Sequence, residues 1–214
     1  GNLANLFGGA TWVPGHSGSG VNFDGVSGYG TAPTVPYLPN WTVSVWVSSS
    51  VVPSGGSFYS GPVHHDANFQ INWNHSSASY QGAAGVNVAG TWYPATFGPL
   101  AANTWYFLAA TYDGETLNAY ANGSLVTSNA VPSGPASSDP NPLTFGKHSA
   151  LNYFFQGIID DVRVSNRALS PSEIQTDMNP PVSGTSSGGV LSFAPAVSLP
   201  SGTNTHGVKI VDIN

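Results

Sequence analysis

Several groups of residues in this chain have the types and spacing to do chemistry. The densest lies between Phe69 and Phe97, where Trp73, His75, Tyr80, Trp92 and Tyr93 are interleaved with Asn72, Asn74 and Gln81. An aromatic ring offers a platform to the apolar face of a pyranose, while amides and imidazoles bond its hydroxyls, so the segment has the composition of a carbohydrate-binding site. A plainer reading stands beside it, in which Trp73 and Trp92 fill the interior between facing strands. His64-His65-Asp66, with His75 nearby, offers the imidazole and carboxylate donors that transition metals take. Pro62 and Asp66-Ala67-Asn68 mark a loop there, so these residues read as solvated loop positions.

Catalysis finds little to work with. Retaining hydrolysis of a glycosidic bond needs two carboxyl groups about 5–5.5 Å apart. The only glutamates are Glu115, beside an Asp-Gly turn, and Glu173, in a helix-capping sequence. Asp160 and Asp161 are adjacent, which on a regular strand sends them to opposite faces. There is no Ser-His-Asp or phosphate-loop pattern, and the chain reads as a non-enzyme.

Charged residues make up 7% of the 214, against roughly 25% in an ordinary soluble domain. The four cations, Lys147, Arg163, Arg167 and Lys209, all lie beyond residue 146, and the net charge is −6. Nothing here neutralises a row of phosphates or an anionic membrane surface, so neither nucleic acid nor membrane is an expected partner. The absence of Cys removes disulfides, thiolate metal sites and thiol catalysis together. No apolar run approaches the roughly 20 residues of a membrane-spanning helix. A surface built from hydroxyls and amides suits neutral glycans, or packing against copies of itself.

The elements that must position these groups are strands. Period-2 alternation marks Val21–Asp24, Tyr29–Ala32, Trp41–Ser49, Ser57–Ser60, Asn68–Trp73, Gly85–Ala89, Trp105–Tyr112, Thr116–Ala121, Leu125–Ser128, Leu143–Gly146 and Gly157–Ser165. Asp24-Gly25, Asp113-Gly114 and Asn122-Gly123 are turn dipeptides that tolerate positive φ. Many short strands with frequent turns predict an all-β, antiparallel two-sheet sandwich. One short helix is expected over Pro171–Met178, where Ser170, Pro171 and Glu173 form a capping box. Beyond it, residues 180–214 form a Pro/Ser/Gly-rich extension, distinct from the sandwich at 1–179. Its apolar alternations, Val190–Phe193 and Val208–Ile213, are expected to dock on their own sandwich or on a neighbouring copy.

The motifs carry a family resemblance. Val21-Asn22-Phe23-Asp24-Gly25, then Trp41-Thr42-Val43-Ser44-Val45-Trp46-Val47, then Asn103-Thr104-Trp105-Tyr106 through Asp113-Gly114, and finally Phe155-Gln156-Gly157-Ile158-Ile159-Asp160-Asp161-Val162-Arg163 through Ser170 stand in order along about residues 5 to 178. Together they resemble the laminin-G-like (LamG-like) branch of the concanavalin A-like lectin/glucanase superfamily. The resemblance implies a jelly-roll sandwich in an extracellular or cell-surface protein, and places Trp12, Trp41, Trp46 and Trp105 at core positions. It also implies a structural Ca²⁺, a hard cation held by carboxylate and backbone oxygens, with Asp24 and Asp160 as the matching carboxylates. Their plainer roles are to shape the Asp-Gly turn and to pair with Arg163 or Arg167. The expected function is a non-catalytic recognition module for glycans. The alternative is a self-assembling surface protein that forms homo-oligomers through its C-terminal extension.

Overall fold

The computed structural model describes residues 2–33, 35–53, 60–74 and 81–178, together with the backbone of two strands beyond them. Two antiparallel sheets of seven strands lie face to face. Numbered along the chain, the first sheet runs β12 (Ser124–Ala130), β11 (Thr116–Ala121), β10 (Tyr106–Tyr112), β5 (Trp41–Ser48), β14 (Gln156–Ser165), β3 (Ser19–Asp24) and β2 (Thr11–Pro14). The second runs β1 (Asn2–Phe7), β4 (Tyr29–Ala32), β13 (Leu143–Phe145), β6 (Val63–His65), β7 (Phe69–Asn72), β8 (Gln81–Val88) and β9 (Thr91–Pro99). The alternation in the sequence sets which side chains lie between the sheets: on β5, Trp41, Val43, Val45 and Val47 point inward and are fully buried, with the Trp41 ring 5.1 Å from that of Phe69.

The outward residues of β5 are covered at one end. Helix α1 (Pro171–Asp177) starts at the predicted capping box, in which Ser170 Oγ accepts from the Glu173 N–H and the Glu173 carboxylate accepts from the Ser170 N–H. Ile174 packs against Phe107 and Tyr120 of the first sheet. Ser44 Oγ donates to Asp177 at 2.6 Å, and Arg163 reaches the same carboxylate at 2.9 Å. Further along β5, Trp46 is half-buried on the outer face, its ring 5.5 Å from that of Phe107 and its indole N–H donating to the Met178 carbonyl at 3.2 Å; the nearby Trp105 is also half-buried. Neither lies between the two sheets as the motif positions suggest, because both fall on outward register positions; Trp46 instead packs in the smaller cluster under the helix.

Strand β14 departs from regularity where it matters. Its register against β5 shifts between Asp160 and Arg163, and Asp161 has φ of 48°. Ile159 and Val162 are both core residues three positions apart, an odd spacing that a flat strand cannot bury on one face. The bulge absorbs the extra residue. Asp160 and Asp161 are therefore not opposed across a regular strand as expected: both are buried beside the bulge.

Strand β9 was not evident in the sequence, since Pro94, Gly98 and Pro99 interrupt its pattern. It is the edge strand of the second sheet, where a missing N–H costs no ladder bond. In the extension, β15 (Val190–Ala194) pairs with residues 163–165 of β14, and β16 (Val208–Val211) pairs with residues 2–4 of β1. Both tail strands thus ladder onto the same chain. The expected linker at 182–189 and most of the expected strand at 57–60 lie outside the described residues.

Candidate functional site

Of the five aromatic and imidazole residues expected to form one sugar site, the three that are described, Trp73, Trp92 and Tyr93, do not share one surface. Trp73 is completely buried; its indole N–H donates to the Val51 carbonyl at 2.8 Å, and its ring packs near Phe155 and Tyr106. It presents no face to a ligand. Tyr93 pairs with Val86 and packs against the core. Trp92, one residue earlier, points outward by the same period of two and is 37% exposed. Its ring lies over Gly85, beside Gln70, so closely that a β-carbon on Gly85 would approach it to 3.2 Å. His75 and Tyr80 lie outside the described residues.

A different set converges at one end of the second sheet's outer face. Gly146, at φ of 70°, packs directly on the buried Phe23 ring and turns the chain out of β13. The segment that follows folds back on itself, with a bridge between Lys147 and Phe154 and the His148 N–H donating to the Tyr153 carbonyl at 3.0 Å. It lies over β6 and brings the His148 ring to 4.8 Å from that of His64. Between this segment, the Gly25-Val26 turn and the end of β7 is an open cleft of about 460 Å³. Tyr153 and Phe154, both half-buried, line it together with Asn152, Asn74 and Ser60. Asn74 Nδ2 donates to Ser60 Oγ at 2.9 Å. Lys147 Nζ sits 5.2 Å above the Tyr29 ring and 5.4 Å above that of Phe154, a cation–π arrangement that fixes Phe154 in place.

On β6 and β7, His64 and Asn72 point to the outer side of the sheet yet are buried, contrary to the solvated loop expected for His64-His65. Burial pushes the His64 imidazole well below its ordinary pKa; repulsion from His148 adds to this, and Asn72 opposes it. His64 is therefore neutral at pH 7. Among the described residues, His64 Nε2, both polar atoms of the Asn72 amide and Ser149 Oγ close no hydrogen bond of ordinary geometry. Each buried orphan costs about 1–3 kcal/mol unless something outside the chain satisfies it. His65 faces a different partner, the Asp139 carboxylate at 3.7 Å. Among the described residues no three His, Asp or Glu side chains gather as a metal site would require.

The carboxylates assigned to calcium do not fit a shared ion. Asp24 Oδ1 accepts from the backbone N–H groups of Val26, Ser27 and Gly28, and Oδ2 from the Ser27 hydroxyl. These donors hold its pKa below the usual carboxylate range, and they occupy the oxygens a cation would need. Asp160 accepts from the backbone N–H groups of Ser17 and Asp161, while burial pushes its pKa up to about 6. Asp24 is the register partner of Gln156. Asp160 lies four residues farther along β14, which separates the two by about 13 Å at ~3.3 Å per residue. Calcium–oxygen bonds span only about 2.3–2.6 Å.

Sequence reasoning missed most of the cleft. Asn152, Tyr153 and Phe154 fall in an irregular segment with no periodicity, and their only signal was three adjacent aromatics, Tyr153-Phe154-Phe155, flanked by amide residues.

Comparison with known proteins places these features. The family Laminin_G_3, of the concanavalin A-like lectin/glucanases superfamily, matches residues 24–175. No curated protein matches. Among solved structures, domain 4 of AbnA, a GH43 extracellular arabinanase from Geobacillus stearothermophilus in complex with arabinotriose, is similar with a TM-score of 0.65 at 19% identity, over 82% of this chain and 88% of that one. The binding domain of Paraclostridial Mosquitocidal Protein 1 is similar at 0.65 and 16%, over 82% of this chain and 47% of that one. The binding domain of botulinum neurotoxin DC, in complex with SialylT, is similar at 0.64 and 13%, over 83% and 46%. The chain spans about half the length of the two toxin domains. At these identities the likeness is one of fold.

Proposed function

From the premise that this chain belongs to the laminin-G-like family of the concanavalin A-like superfamily, we propose that it is a non-catalytic, extracellular recognition module that binds carbohydrate in the cleft beside the Lys147–Phe154 segment. The observation that carries this reading is the combination of half-buried aromatic rings with amide and hydroxyl groups around one open cleft. Tyr153 and Phe154 provide apolar surface, and Asn74, Asn152 and Ser60 provide polar groups for sugar hydroxyls. The arabinotriose complex of the similar AbnA domain is consistent with it. The non-catalytic part rests on the glutamates: Glu173 is held by Arg167 and Ser170, and Glu115 lies at the Asp113-Gly114 turn. No metal enters the proposal.

Affinity electrophoresis against polysaccharides, followed by calorimetric titration with oligosaccharides, tests it. Tyr153→Ala and Asn152→Ala are expected to weaken binding by roughly tenfold or more while the melting transition stays in place, and Trp92→Ala to leave binding unchanged. A wild-type protein that binds no glycan, or Tyr153 variants that bind as well as wild type, would refute the assignment. The alternative of self-assembly through the C-terminal extension is less supported, because β15 and β16 cover edges of their own sandwich. Light scattering across a concentration series tests that directly.

A further inference from the structure

We infer that the segment 147–154 is an acid-operated gate beside the cleft: while His64 and His148 are neutral it lies against β6, and when they take up protons it lifts and releases the ligand. The release of a glycan rests on the cleft reading above; the lifting of the segment stands apart from it.

The segment is built to move as one piece. Its ends meet at a narrow base, where the Phe155 N–H donates to the Gly146 carbonyl at 2.8 Å and the His148 N–H to the Tyr153 carbonyl at 3.0 Å. Lys147 and Phe154 form the bridge at this base. The turn beyond it holds Ala150, Leu151 and Asn152 in solvent and is closed by the Ala150 N–H, which donates to His148 Nδ1 at 3.2 Å. The half-buried His148 ring seats the segment on the sheet: it stands 4.8 Å from the His64 ring, with planes at 50°, and meets the Tyr153 ring edge-on at 6.4 Å. Asn152, Tyr153 and Phe154 line the cleft. The element that rests on His64 is therefore also the one that supplies the aromatic wall.

The seat suits a neutral pair. His64 is buried at the middle of β6, between uncharged register partners, Thr144 on β13 and Gln70 on β7. Two imidazolium rings less than 5 Å apart repel each other, and a charged ring under the segment is deprived of water. Burial is the largest influence on both histidines and favours the uncharged ring. On His64, the neighbouring His148 also opposes a proton and Asn72 favours one; on His148, the Asp66 carboxylate favours a proton and the Lys147 ammonium opposes it. His65, the next residue on β6, faces Asp139 instead. Lifting the segment returns water to both rings, so opening takes up protons. The closed state is favoured above about pH 6.5 and loses ground below it. A histidine that binds its proton only in the open state raises the open-to-closed ratio by up to about 25-fold between pH 7 and pH 5.

Amide hydrogen exchange of the full chain, followed residue by residue by NMR at pH 7 and pH 5 and corrected for intrinsic exchange rates, reads the gate without any ligand. The His148 and Phe155 amides are expected to open about tenfold more often at pH 5, while the Val45 amide of β5 stays protected. His148→Gln, at a half-buried position, should cut that rise severalfold, and His64→Gln combined with it should abolish the rise. Calorimetric titration with arabino-, xylo-, manno- and gluco-trisaccharides should show affinity about tenfold lower at pH 5 than at pH 7 in wild type and nearly level in the double variant. Exchange that changes by less than about twofold, or a rise as large in His148→Gln as in wild type, overturns the gate; trisaccharide binding that depends on Tyr153 then still upholds the cleft. A rise in exchange with no trisaccharide bound at either pH upholds the moving segment and overturns the cleft reading, and the release with it. An affinity that stays level while the segment opens overturns the release alone.

Discussion

Replacing Trp73 by Ala separates the interior role seen in the structure from the sugar-contact role suggested by the sequence. The indole is completely buried, touches the rings of Tyr106 and Phe155, and donates to the Val51 carbonyl. A buried Trp removes roughly 150–250 Å² from water, which at about 25 cal/mol per Å² amounts to some 4–6 kcal/mol. Measured aromatic-to-Ala losses in cores, about 3–5 kcal/mol, agree. At about 2–4 °C per kcal/mol for a chain of this size, the melting transition should fall by about 10–20 °C. Urea denaturation monitored by tyrosine and tryptophan fluorescence, alongside calorimetry, reads the change. Trp92→Ala, made in parallel on the exposed side of β9, should shift the transition by no more than about 4 °C. A folded Trp73→Ala protein that melts within about 2 °C of wild type and has lost glycan binding would reverse the placement of this residue.

Three other outcomes follow from the same geometry. Gly146→Ala forces a β-carbon to 2.2 Å from the buried Phe23 ring at φ of 70°, so the left-handed backbone cost of about 1–2 kcal/mol adds to overpacking of about 1–3 kcal/mol; a urea midpoint showing less than about 1 kcal/mol lost would mean that Phe23 has room to move. Asp160 has its folded pKa raised to about 6, so it binds a proton more tightly folded than unfolded; its contribution is complete below about pH 3.8 and is lost as the pH rises through 6. The stability of wild type relative to Asp160→Asn should therefore fall by about 2 kcal/mol between pH 4 and 7, and a difference that stays flat over that range rejects the raised pKa. Adding calcium against a chelator should leave the melting temperature unchanged, since Asp24 and Asp160 cannot share an ion; a saturable rise that Asp24→Ala abolishes would restore the calcium reading.

The elements with strong local signals were legible in the sequence. The β5 alternation placed Val43, Val45 and Val47 inward, the Ser170–Glu173 box placed the helix start, and Asn122-Gly123 placed a hairpin turn with φ of 50° and 76°. Each signal depends on residues within a few positions of one another. The misses came where the local pattern was broken or silent. Edge strand β9 tolerates prolines because it has no outer neighbour, and the bulge at Asp161 is imposed by the need to bury both Ile159 and Val162. His64 and His65 sit in a strand of three residues, too short to show a period.

By itself, then, the sequence determined the class of fold, the family, the low charge of the surface and the scarcity of catalytic groups, because these follow from composition, period and short-range motifs. Only the tertiary structure decided which aromatics face solvent. Trp73 and Trp92 look alike as residues in a row, yet the alternation continued from β7 puts Trp73 inside, and the pairing of β9 with β8 turns Trp92 out. Likewise, the cleft joins residues near 25, 60, 74 and 152. Such sites are products of strand register and sheet packing, which depend on pairings between distant parts of the chain.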